Sequence, residues 1–344
     1  MNFFLDNGYL DFRKIRELGF PFTWVVGGRG IGKTYGALRT SYEDSISFLL
    51  MQRTQTQLDV INSPAFSPMN AIGRDVGVDF ITKPVTKNSS AFYLGHTDDK
   101  GKLVPEGYPL GYSMALSTFA NTRGFDASEI ELLYFDEFVP EKCSRPIRNE
   151  AETLVSAYES INRNRELQGR KPLQMIATAN ALDLSNCHLV YHRLVRPLEK
   201  MEKTGNVMYV ERERGVCIIY LRDSPISARK KTTALYKALE GNSAYSKMAL
   251  DNNFSFEDRS DIRSRPLSEY KPLVTVGEVT VYQHKSTDLY YVSPHRAGSP
   301  PRYATGETDL ERFRRGYGFL WLAILEHRIE FEDFLSKTLL TTYL

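Results

Sequence analysis

Cysteine is scarce in this 344-residue chain: there are three, Cys143, Cys187 and Cys217. They are widely spaced and form no CxxC pair, which argues against a structural zinc site and fits a reducing compartment. Long apolar runs are missing too. No stretch of about 18 apolar residues occurs, so no membrane span is expected. The opening "MNFFLDNGYLDFRKIRELGF" carries early acids and no long apolar core, and is not read as a signal peptide. Nor is one sign of charge in excess: 44 basic residues face 42 acidic ones, a formal net charge of +2. Global charge therefore names no partner, and a nucleic-acid surface must come from local clustering. Low-complexity segments and internal repeats are not evident. A hydrophobic content of 42% and a charged content of 25% are ordinary for a soluble globular protein, and the length favours two domains.

What is present begins at residue 22. "FTWVV" (22–26) is a short apolar run suited to a buried parallel strand. Gly27, Gly28, Arg29, Gly30, Ile31, Gly32, Lys33 and Thr34 then satisfy G-x-x-x-x-G-K-[ST], and "YGALRTSYEDS" continues as a plausible helix. Strand, glycine loop, helix is the setting in which backbone N–H groups turn inward toward phosphate oxygens at a positive helix end. Lys33 would reach the outer phosphates, and Thr34 would ligate Mg²⁺. Arg29 could touch phosphate, touch a neighbouring subunit or point to solvent.

A phosphate loop needs a carboxylate for its metal. "LLYFDEF" (132–138) supplies a buried apolar strand ending in Asp136 and Glu137. Open α/β sheets bind ligands at that end of their strands. Asp136 would hold Mg²⁺, and Glu137 would polarise the attacking water. The second acid points to hydrolases with an added strand between the loop strand and the Asp strand.

Other strands are expected at 46–53, 91–95 and 108–116, with a hairpin turn in "HTDDKGK". Arg53 ends the first of them and could stack on adenine or stand solvated. "LQMIATAN" (173–180) ends in Thr178 and Asn180, able to sense a phosphate or merely turn the chain. The segment 148–167 has helical spacing and closes on "NRNRE". Arg163 and Arg165, two apart, face different directions. One of them could act as an arginine finger, or both could serve the helix dipole.

Taken together, "VVGGRGIGKTY", "LYFDEFVPEK", "SINRNRE", "ATANAL" and "ALDNNF" (249–254) resemble the DNA-packaging ATPases of small podovirus-type tailed bacteriophages with protein-capped genomes. The match spans residues 25–254 in order, and the C-terminal 90 or so residues of the chain add little recognisable motif. The resemblance implies that Lys33, Thr34, Asp136 and Glu137 form the ATP and Mg²⁺ site. Arg163 matches the trans-acting finger, and Asn180 falls near the coupling motif. Such proteins form homomeric rings, typically pentameric, at the portal vertex of the empty capsid in the host cytoplasm. There they drive double-stranded DNA inward; a phage-encoded structural RNA joins some of them.

Three domains are expected. Residues 1–224 would form a P-loop ATPase of the additional-strand, catalytic-glutamate (ASCE) type with a mostly parallel central sheet. Residues 225–258 would be a small helical linker, whose basic run Arg229, Lys230, Lys231 could contact phosphates or be a solvated helix surface. Residues 259–344 would be an α+β domain of vestigial RNase H-like fold, with strands around the turn "KSTD" and one strongly apolar helix in "GFLWLAILEHRIEFEDFL". Its expected first strand region, 273–283, offers only Glu278, too few acids for a two-metal nuclease. Arg296 and Arg302 of this half are candidates for nucleic acid or subunit docking. The expected function is an ATP-driven DNA translocase. The alternatives are a translocase with an active terminase-type nuclease and a nucleotide-switched assembly module.

Overall fold

The computed structural model describes residues 1–122, 127–141, 144–181, 183–239 and 258–344. The "ALDNNF" segment and Cys143 lie outside them. The chain divides into two compact units, Met1–Asp183 with Met201–Ser255, and Leu184–Lys200 with Phe256–Leu344.

The first unit is built on nine strands: β1 (Phe22–Gly27), β2 (Phe48–Gln52), β3 (Asp79–Thr86), β4 (Ser89–Thr97), β5 (Leu103–Ala115), β6 (Leu132–Asp136), β7 (Gln174–Ala179), β8 (Met208–Glu211) and β9 (Val216–Leu221). Their order is β3-β4-β5-β2-β6-β7-β1-β9-β8. The six strands from β5 to β9 run parallel. β3–β4–β5 and β8–β9 add antiparallel margins. The reason is in the residues. β2, β6 and β9 are buried at every position, as expected of strands covered on both faces. The margin strand β3 is largely exposed and carries Lys83 and Pro84, which discourage further pairing. The β4–β5 hairpin turns through residues 98–102, as "HTDDKGK" predicts.

β7 lies between β6 and β1, the extra strand expected beside a catalytic glutamate. Because β1, β6 and β7 are parallel, Gly27, Asp136 and Ala179 finish at one edge; Asp136 and Val25 both pair with Thr178. Aliphatic and aromatic side chains from β1, β2, β6, β7 and β9 form the core with Phe3, Leu10, Phe12 and Ile15 of the N-terminal segment.

The second unit holds β10 (Tyr270–Val276), β11 (Val279–His284), β12 (Tyr290–Ser293), β13 (Arg302–Tyr303) and β14 (Ile329–Phe331), ordered β13-β10-β11-β12-β14. β10–β11–β12 is an antiparallel meander, and its edges are joined by parallel β13 and β14. The turn at 285–288 is as expected. The single apolar helix is not. The chain instead forms a helix Phe319–Leu325, then β14, then a helix Phe334–Tyr343. His327, at φ 55°, ends the first helix, and Ile329 and Phe331 are buried at the two-residue period of a strand. This sheet does not establish the RNase H-like packing expected from the sequence. Residues 225–239 group with the first unit, and 184–200 with the second.

Candidate active site

The loop after β1 reaches the helix Lys33–Glu43 through Gly30 at φ 69° and Gly32 at φ 86°, a backbone that side chains with a Cβ resist. Gly32 is the N-cap and offers no side-chain acceptor, so the first helical N–H groups are left for a ligand. From the other side, the Leu10 N–H donates to the Ile31 carbonyl at 2.9 Å, fastening the N-terminal segment to the loop.

Lys33 is buried. Its Nζ donates to the carbonyls of Gly27 (3.0 Å) and Gly28 (2.9 Å) and to Asn180 Oδ1 (2.8 Å). Burial brings its pKa down to about 8; the Asp136 and Glu137 carboxylates oppose that shift, and Lys230 and Arg29 add to it. Thr34 Oγ1 donates to Asp136 Oδ2 at 2.6 Å. The other carboxylate oxygen of Asp136 accepts from Tyr134 OH at 3.0 Å and Thr178 Oγ1 at 2.9 Å. Three hydroxyls on three elements thus orient one buried carboxylate. A hydroxyl beside an oriented carboxylate is a hard oxygen pair that suits Mg²⁺.

Glu137 stands at φ 51°, a left-handed conformation uncommon outside glycine and asparagine, which turns its side chain off the strand line. Its side chain reaches solvent, yet the protein packed around it and then the Asp136 carboxylate raise its pKa above the ordinary glutamate value. Arg29, Lys33, Thr34, Asp136, Glu137 and Asn180 line one pocket of about 160 Å³. The exposed Arg29 donates to Glu141 Oε1 at 2.8 Å. A larger cavity of about 680 Å³ adjoins at Gly32 and Tyr35 and is walled by Tyr9, Arg13 and Arg39.

Not every expected residue converges here. Arg53 is 1% exposed and grips Glu150 with two bonds, Nε to Oε1 at 2.6 Å and Nη2 to Oε2 at 2.7 Å. Its guanidinium is enclosed rather than offered to a base, which corrects the adenine-stacking expectation. Lys230 lies on the phosphate loop, as its bond to the Arg29 carbonyl shows. Arg229 reaches the Asn7 carbonyl at 3.3 Å, and Lys231 is exposed. In the second unit Arg296 donates to the Gly277 carbonyl at 3.0 Å, and Arg302 is exposed in β13.

The two arginines of "RNRE" separate cleanly. Arg165 is buried and donates to the carbonyls of Ala127 (3.0 Å) and Ser128 (3.2 Å). Arg163 is exposed and caps the helix Glu150–Asn162 at φ 46°. Tyr134 escaped the sequence reading because a tyrosine within an apolar strand looks like core. The walls of the larger cavity escaped because they come from separate segments.

Three carboxylates of the second unit are engaged in ion pairs. Glu330 takes Arg265, Glu332 takes His295, and Asp261 takes Lys337. Among the described residues from 258 onward, no three Asp, Glu, His or Cys side chains converge at metal-ligand distance.

A family model described as podovirus DNA encapsidation protein (Gp16) matches residues 13–293. Two solved structures are similar over nearly the whole length. The Phi-28 gp11 DNA packaging motor is 16% identical with a TM-score of 0.64, covering 97% of each chain. The bacteriophage Phi-29 viral genome packaging motor assembly is 18% identical with a TM-score of 0.65, covering 99% of this chain and 98% of that one. No curated protein matches.

Proposed function

The chain belongs to the podovirus DNA encapsidation protein (Gp16) family, and from that premise we propose that it is an ATPase motor moving double-stranded viral DNA into an empty procapsid. One observation carries the enzymatic part: three parallel strand ends bring Lys33, Thr34, Asp136, Glu137 and Asn180 around a single pocket.

Lys33, with the N–H groups at the helix start, would take the β- and γ-phosphates. Mg²⁺, held through Thr34 and Asp136, would neutralise charge developing on the phosphates. Glu137, outside the hydroxyl cage that engages Asp136, accepts a proton from the attacking water. Its pKa, raised by burial and then by the Asp136 carboxylate, makes it a better base than an ordinary glutamate. Asn180, bonded to Lys33, links the γ-phosphate position to the end of β7. The larger cavity walled by Tyr9, Arg13 and Arg39 suits the nucleoside, with Tyr9 as a stacking face.

Arg163 supplies the cation that a subunit cannot give its own site, acting on a neighbour in a homomeric, pentameric ring at the portal vertex. Its exposure supports that role, and the enclosure of Arg165 favours Arg163 of the two. The second unit is read as a nuclease-inactive, RNase H-like docking domain; its occupied carboxylates support inactivity. Lys231, Arg296 and Arg302 are the candidates for phosphate-backbone contact. A phage-encoded structural RNA, which joins some motors of this type, is a candidate partner. Among the described residues, no helix is long and apolar enough to cross a membrane.

ATP turnover by the full chain, with and without DNA and empty capsids, tests the reading. Stimulation by both together supports a motor. Tight ATP binding with negligible turnover under every condition would favour the nucleotide-switched module, and Mn²⁺-dependent DNA cutting would restore the active nuclease.

A further inference from the structure

The basic run at 229–231 divides, and its middle member stands over the phosphate loop. Lys230 ends the helix Pro225–Lys230 and donates its Nζ to the Arg29 carbonyl. A Cβ built on Gly30 would meet that Nζ at 2.6 Å and the adjoining Cε at 3.4 Å. The ammonium therefore lies directly against the loop backbone.

The position is anchored. Ser224 caps the helix by accepting from the Ile226 N–H at 3.2 Å. Ile226 and Ser227 are buried, and Pro225 and Ile226 pack against Gly8. Arg229 holds the Asn7 carbonyl, and the Thr232 and Thr233 hydroxyls close the end by donating to the Arg229 and Lys230 carbonyls at 2.8 Å each. A long side chain delivered to one place by a capped and packed helix differs from a surface lysine sampling solvent.

Its electrical surroundings fit an anion. Lys230, Arg29 and Lys33 crowd one loop, and the first of them has a lowered pKa through burial and then through Arg29. A neutral carbonyl is a weaker partner for an ammonium than an anionic oxygen.

We propose that Lys230 is a second phosphate-binding lysine, exchanging the Arg29 carbonyl for an outer phosphate oxygen of a bound nucleoside triphosphate. Its helix then registers whether that phosphate is present. This inference rests on the nucleotide-site reading above.

Equilibrium titration of the full chain with Mg²⁺–ATP and Mg²⁺–ADP tests it, using wild type, Lys230→Met, Lys230→Arg and Lys33→Ala. Lys230→Met should lose roughly 10-fold or more in ATP affinity, with ADP affinity within about 2-fold and an unaltered melting midpoint without nucleotide. Lys230→Arg should recover most of the ATP affinity. Unaltered ATP affinity in Lys230→Met, or equal losses for ATP and ADP, would overturn it. Failure of wild type to bind ATP would remove the nucleotide-site reading itself; wild-type binding lost in Lys33→Ala but kept in Lys230→Met removes this inference alone.

Discussion

Asn180 accepts the Lys33 ammonium at 2.8 Å, so the end of β7 and the phosphate loop share one hydrogen bond. Both partners are buried, and Lys33 keeps two loop carbonyls besides. Replacing Asn180 by Ala should leave ADP binding nearly unchanged, because those carbonyls still place the lysine. The polar group facing the reacting phosphate is lost, so turnover should fall on the order of 10- to 100-fold. Steady-state kinetics beside ADP titration separates the two. Wild-type turnover in Asn180→Ala would reduce Asn180 to a structural tether.

The Lys33 ammonium also makes a pH prediction. Its folded pKa, about 8, lies below the roughly 10.4 of an unfolded lysine. Between those values the unfolded chain binds more protons, so the stability of the nucleotide-free protein should rise with pH. Below pH 8 both states are protonated and the penalty is complete, about 3 kcal/mol. Denaturant melts at pH 7.5 and 9.5 should show about 2 kcal/mol of this change in wild type and lack it in Lys33→Met. Equal pH responses in the two proteins would contradict the burial assigned to this group.

Glu137 has the opposite shift and a kinetic consequence. A base with a raised pKa loses its competent form as pH falls, and does so earlier than an ordinary glutamate. The acid limb of turnover should therefore lie above the usual carboxylate range. Glu137→Gln should bind ATP but turn over about 100-fold or more slowly. Substantial turnover by Glu137→Gln would show that another group activates the water.

The site was legible because its parts are local. A complete glycine loop, an apolar strand with two terminal acids and a strand ending in Asn180 each state their chemistry within about ten residues. Parallel pairing then brings them together without further instruction. Arg53 was misread because its partner, Glu150, is 97 positions away and no local pattern announces a buried bidentate pair. The helix Gln55–Asn62 carried its signal in plain sight: Thr54 and Gln57 form a capping box that "TQTQ" spells. In 318–335 a strand of three residues was too short for its period to stand out against the apolar helices beside it.

"RNRE" offered two arginines, and their burial now distinguishes them. Arg163→Ala and Glu137→Gln subunits, each inactive alone, should regain some turnover when mixed, because a mixed ring pairs an intact catalytic site with an intact finger. Arg165→Ala should behave differently. It removes a buried guanidinium and its bonds to the Ala127 and Ser128 carbonyls, so its melting temperature should fall, and rescue by mixing should be absent or follow folded fraction. Absence of rescue for Arg163→Ala at every ratio, with assembly intact, would count against a finger in trans.

Arg53 and Glu150 are enclosed together, at 1% and 3% exposure. Removing the guanidinium breaks a buried bidentate ion pair, so Arg53→Met should destabilise the protein by about 3–5 kcal/mol. The double variant Arg53→Met/Glu150→Leu removes both charges and should recover much of that loss. Neither change should alter preference among purine nucleotides, since the guanidinium faces Glu150 rather than a base. Tyr9→Ala should do the reverse: stability nearly kept, ATP affinity lowered by roughly 5-fold or more, and affinity for inorganic tripolyphosphate unchanged. Chemical melts and competition titrations on the same preparations compare the two sites directly. A base-dependent defect in Arg53→Met with normal stability would return the adenine contact to the end of β2.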